Sequence, residues 1–196
     1  ALTAAPANAD GEEGIVTTET LSTGNTVHVY VPAGDTGYRA ASTPILIALT
    51  DGELDASAAQ QAAIDTGLAD IAAREQGVVA FLAPAAGSWG AADAAALPAL
   101  LARYGDSTGA PYADEGKLCA EDFRTGQTSC KFPGALSRVY LFAEGAGADF
   151  VSEHVVPGLP VTPPFPAFPG QQQTWTPTGV YLANPTVAPV APVVDV

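Results

Sequence analysis

Three short, nearly unbroken apolar runs limit what this chain can fold into: PILIAL at 44–49, VVAFLA at 78–83 and RVYLFA at 138–143. A strand with one wet face alternates apolar and polar residues. A run without alternation belongs to a strand covered on both faces, as in a parallel sheet. Helical stretches separate the runs. Residues 57–76 (SAAQQAAIDTGLADIAAREQ) carry an apolar stripe of Ala59, Ala62, Ala63, Leu68 and Ile71, and Gly77 ends that helix. A second helix is predicted over 91–104, opened or kinked at Pro98, and a third over Ala146 to Val156. Strands alternating with helices make βαβ units, so the expected class is α/β: a mostly parallel sheet with helices on both faces.

Three segments organise the 196 residues. Residues 1–14 (ALTAAPANADGEEG) lack periodicity and read as a flexible tail. Residues 15–156 hold the core, including an alternating, β-branched strand from Thr26 to Pro32. Residues 157–196 form a Pro-rich loop, then a short extra strand at Val180–Ala183, then an extended tail. With 21 Asp and Glu against 7 Lys and Arg, the net charge of −14 repels phosphate, which argues against nucleic acid and anionic membrane surfaces. No apolar run approaches the roughly 18 residues of a membrane-spanning helix.

The two cysteines, Cys119 and Cys130, lie in CAEDFRTGQTSC, a polar segment. Unpaired cysteines tend to sit among apolar neighbours, so a local disulfide is the expected reading and two free thiols the alternative. Zinc is not expected, because neither a second cysteine pair nor a nearby His completes a site. A start at Ala1 without Met fits a cleaved leader, and with the disulfide it makes a secreted or cell-surface protein the expectation.

A strand, a Gly-rich turn and a helix across 138–156 form the context of a nucleophile elbow, whose pattern is G-x-S-x-G. The matching residues are Ala143-Glu144-Gly145-Ala146-Gly147, with small residues kept at the flanks and Gly145 in the serine position. Glycine has no hydroxyl to attack with. The order VHVYVPAG, PILIALTDG, helix, GVVAFLAPAAGSW and SRVYLFAEGAGADF resembles the α/β-hydrolase superfamily, in particular its polyhydroxybutyrate-depolymerase and feruloyl-esterase-like group. The resemblance spans about residues 24–156 and rests on the order of these pieces. It implies an oxyanion turn at Thr50-Asp51-Gly52, where the family carries His-Gly. A carboxylate at Asp51 opposes a developing oxyanion, which needs donors. The family's acid and histidine come from later strands, yet no His follows His154. The expected fold is therefore truncated on its C-terminal side.

Other readings of these residues are plainer. The turn at Glu144–Gly147 fits any doubly wound protein, and as a phosphate cradle it lacks a following Lys. Asp51, Glu53 and Asp55 form a weak cation candidate, so neither metal nor cofactor is expected. His28 reads as a packed strand residue and His154 as a helix-end residue. Asp106, Asp114, Glu115, Glu121 and Asp122 read as a solvated acidic face. Trp89 and Trp175 read first as loop anchors, although Phe165, Phe168 and Trp175 together are candidates for a contact surface. Three separate losses, at Gly145, at Asp51 and of a late His, predict a non-catalytic hydrolase-like protein serving binding, structure or surface assembly, with its Pro-rich C-terminal segment meeting a protein partner or another copy. The alternative is a secreted esterase or depolymerase completed by a missing or separate C-terminal segment.

Overall fold

The computed structural model describes residues 14–32, 43–104, 119–122, 127–130, 134–161 and 175–186. In chain order the elements are β1 (Ile15–Thr20), β2 (Thr26–Val31), β3 (Thr43–Leu49), α1 (Ala56–Asp65), α2 (Leu68–Glu75), β4 (Val78–Leu82), α3 (Ala96–Tyr104), β5 (Cys119–Asp122), β6 (Gln127–Cys130), β7 (Gly134–Glu144), α4 (Ala146–Phe150) and β8 (Gly179–Ala183). A 3₁₀ turn at Ala91–Ala95 leads into α3, and α4 continues through a π-helical turn at Val151–Val155.

Six strands form one sheet in the order β1-β2-β4-β3-β7-β8. The neighbours β4, β3, β7 and β8 run parallel, while β2 runs antiparallel to both β1 and β4. The apolar runs account for the layering. Leu46, Ala48, Val79 and Phe81 face Ala59, Ala63, Leu68, Ala69 and Ala72 of α1 and α2. Ile45, Ile47, Leu49, Ala80, Leu82, Val139 and Leu141 face the other way, onto Leu97, Leu100 and Leu101 of α3 and Phe150 and Val151 beyond β7. Helices thus cover both faces, as expected of strands apolar throughout.

Four expectations change. The helix over 57–76 is two helices, because Gly67 adopts φ 74° and Thr66 Oγ1 donates to the Ala62 carbonyl at 2.6 Å, closing α1. Gly77 does not take the left-handed position; Gln76 does, at φ 58°. Gly77 is there for space, since a Cβ would lie 2.8 Å from the Pro44 carbonyl oxygen. The cysteine segment contains an antiparallel ladder of β5 and β6 that forms a sheet of its own. Finally, β1, absent from the sequence reading, pairs with β2 from Ile15↔Val31 to Thr20↔Thr26.

The strand expected at Val180–Ala183 is present and joins the main sheet in parallel with β7, Leu141 opposite Val180. No helix among the described residues is long and apolar enough to cross a membrane.

Candidate functional site

Strands β3 and β7 end side by side, with Leu49 opposite Ala143, so the turns that follow them meet. The Thr50–Gly52 turn and the Glu144–Gly147 turn are therefore neighbours at the carboxyl end of the parallel strands, where open α/β sheets place their sites. Trp89 fixes the first turn from the side: its indole N–H donates to the Thr50 carbonyl at 2.6 Å, and its ring stacks on Phe150 at 4.7 Å between centroids.

Gly145 has φ 54° and ψ −124°, a backbone conformation that side chains rarely adopt. A Cβ added there would stand 1.8 Å from Asp51 Oδ1 and 2.7 Å from Asp51 Cγ, so the carboxylate fills the space a side chain would need. The Ala146 N–H donates to the same Oδ1 at 2.7 Å. In a working elbow, the amide after the nucleophile helps to hold the oxyanion. Here that amide is committed to an internal carboxylate. Gly147 is equally constrained, since a Cβ would lie 2.6 Å from the Leu49 carbonyl oxygen. Helix α4 thus approaches the end of β3 closely at Gly147. Gly145 itself presents no hydroxyl.

The turn is tied in from β8 as well. Gly145 N–H donates to the Ala183 carbonyl at 3.0 Å. The backbone N–H of Thr186 donates to Asp149 Oδ1 at 2.6 Å, and the Thr186 hydroxyl donates to Asp149 Oδ2.

Neither histidine serves this turn. His28 is buried, with Nε2 2.7 Å from the Leu54 carbonyl and Nδ1 2.8 Å from Thr18 Oγ1. A carbonyl only accepts, so Nε2 donates there. His28 thereby pins the loop behind Asp51 to β1 and β2. His154 lies 3.8 Å from Glu153 Oε2 and against Phe150, with ring centroids 5.8 Å apart. Ser152 is buried and donates to the Ala148 carbonyl at 2.9 Å.

The acidic turn does not assemble a cation site. Asp51 holds the Ala146 amide, and Asp55 caps α1 by accepting from Ala58 N–H at 2.7 Å. Among the described residues, no group of three or more His, Cys, Asp and Glu is placed to hold a metal. Glu121 and Asp122 stand on β5; Asp106, Asp114, Glu115, Phe165 and Phe168 lie outside the described residues. Trp175 is corrected from contact-surface candidate to core residue: it is 2% exposed and exchanges two backbone hydrogen bonds with Val161.

Sequence reading missed a polar network beneath the Trp89 turn. The buried Asp93 carboxylate accepts from Asn25 Nδ2 at 2.6 Å, Ala85 N–H at 3.0 Å and Gly90 N–H at 2.9 Å. Its one sequence signal is the aspartate three residues after Gly90, a capping pattern. Among the described residues, a groove of about 780 Å³ opens elsewhere, between α2 and strands β7 and β8. Leu68, Ile71, Tyr140, Phe142 and Tyr181 line it, and none of Thr50, Asp51 or Gly145 does. Tyr181 is 61% exposed and stacks on Phe142 at 5.3 Å.

No protein-family model matches the chain, and no curated protein sequence matches it. Among solved structures it is similar to that of the Francisella virulence factor BioJ, at 13% identity and a TM-score of 0.40, over 72% of this chain and 38% of that one. It is also similar to an acetyl xylan esterase from Aspergillus awamori, at 14% identity and a TM-score of 0.39, over 71% of this chain and 46% of that one. The chain thus spans less than half the length of either structure it resembles.

Proposed function

We propose that this chain is a secreted, α/β-hydrolase-like protein whose elbow is non-catalytic and which acts by binding or assembly at the cell exterior. One observation carries the reading: the Asp51 carboxylate occupies the place of the nucleophile's side chain and takes up the Ala146 amide. Serine chemistry at this turn lacks its hydroxyl, a free oxyanion donor at Ala146 and a histidine in contact. The test is intact mass after exposure to a fluorophosphonate, with hydrolysis of a short p-nitrophenyl ester followed in parallel. Neither an adduct nor turnover above buffer is expected. A stoichiometric adduct on any serine of the chain overturns the reading.

A second reading keeps ester hydrolysis, of the esterase or depolymerase type, with a separate segment completing the sheet. It draws on β8, which ends the sheet order and leaves Tyr181 exposed beside an apolar groove. Recovery of a co-purifying chain that brings both a His and a nucleophile would favour it. Recovery of the chain alone, inert to the probe, leaves the first reading standing.

A further inference from the structure

The fold sets the two cysteines directly opposite each other. In the ladder of β5 and β6, Cys119 pairs with Cys130, followed by Ala120 with Ser129, Glu121 with Thr128 and Asp122 with Gln127. Directly opposed residues of antiparallel strands have Cα atoms about 4.5–5.5 Å apart and place their Cβ atoms on the same face. A disulfide needs a Cα separation of about 4.4–6.8 Å, so the register meets the requirement. Of the four pairs, this one joins the first residue of β5 to the last residue of β6. A crosslink there ties the start of β5 to the end of β6.

We infer that Cys119 and Cys130 form an intrachain cross-strand disulfide whose role is to hold this ladder together. The ladder has a need that the main sheet does not. It has only two strands and forms a sheet separate from the six-stranded one, and a two-stranded ladder is marginal in water. The segment also supplies few apolar residues for packing (CAEDFRTGQTSC). The inference is independent of the elbow: the bond can exist in a catalytic or a non-catalytic chain.

The reaction is thiol–disulfide exchange with a small-molecule disulfide, glutathione disulfide in the test. One cysteine thiolate attacks a glutathione sulfur, forming a protein–glutathione mixed disulfide and releasing one glutathione thiolate. The second cysteine thiolate then attacks the protein sulfur and releases the other glutathione thiolate. Two protein thiols are oxidised, one glutathione disulfide is reduced to two glutathiones, and the two thiol protons pass to solvent or to the released thiolates.

The experiment incubates the reduced, folded full chain with glutathione disulfide, alkylates without reduction, and reads intact mass and a peptide map. The expected product has lost two hydrogens, takes up no alkylating agent, and yields one linked peptide joining 119 to 130. The variants Cys119→Ser and Cys130→Ser are each expected to stop at a single glutathione adduct. With the bond formed, protease cleavage between 105 and 133 is expected to slow at least several-fold relative to the reduced chain. Two alkylated thiols after oxidation, two separate glutathione adducts, or a bond found only between chains would each overturn the inference. Equal cleavage rates with the bond formed would overturn its stabilising role.

Discussion

Because Gly145 sits at φ 54° with Asp51 Oδ1 1.8 Å from where its Cβ would stand, a substitution there meets two penalties that can be separated. The backbone penalty is about 1–3 kcal/mol for a non-glycine residue in such a region. The steric penalty depends on the carboxylate. Gly145→Ala is expected to destabilise by more than about 2 kcal/mol in urea titration, and Gly145→Ser at least as much. Asp51→Gly alone gives up the bond to the Ala146 amide, about 1 kcal/mol. In the double variant the clash is gone and the backbone strain stays, so the two losses should fall short of their sum by at least about 1 kcal/mol. Additive losses would show that the carboxylate swings aside freely. For Gly147→Ala no side-chain escape exists, because the obstacle is the backbone carbonyl of Leu49. A loss of about 1–3 kcal/mol is expected there.

The elements differ in how openly the sequence announces them. Strands β3 and β4 were legible because burial on both faces leaves continuous apolar runs, and Leu46 and Ile47 indeed belong to opposite layers. Strand β1, IVTTET, carries three threonines and a glutamate at an edge, and only its register with β2 makes it a strand. The break between α1 and α2 was written in Gly67, but the apolar stripe runs through it unbroken, so periodicity hid it. Gly67→Ala is expected to destabilise by about 1 kcal/mol, because the site demands positive φ while space around it is open. The Asp93 network was largely illegible because two of its three partners, Ala85 and Asn25, lie 8 and 68 residues away. Asp93→Ala strips an acceptor from Asn25, Ala85 and Gly90, and a loss of about 3 kcal/mol in chemical denaturation is expected. A loss under about 1 kcal/mol would mean that water replaces the carboxylate. Likewise, the elbow's flanking pattern could be read from sequence, whereas the contact between Asp51 and Ala146 spans 95 residues and needed the fold.

Taken whole, the chain carries 21 acidic side chains against 7 basic ones. Such an imbalance destabilises the folded state through self-repulsion, and salt relieves it as the screening length falls from about 30 Å at 10 mM to about 8 Å at 150 mM. At pH 7 the Tm is expected to rise by about 2–4 °C over that range, equivalent to about 1 kcal/mol for a chain of this size. A fall would indicate that attractive pairs such as Arg138–Glu75, 3.7 Å apart, outweigh the repulsion. The Asp51 carboxylate beside Gly145 also bears on the order in which a hydroxyl could be introduced there. A serine introduced at 145 while Asp51 remains must displace the tip of that exposed carboxylate and with it the bond to the Ala146 amide. Shortening Asp51 first clears the space, and the same serine then meets only backbone strain. The two positions are thus expected to be coupled, so that the cost of each substitution depends on which is made first.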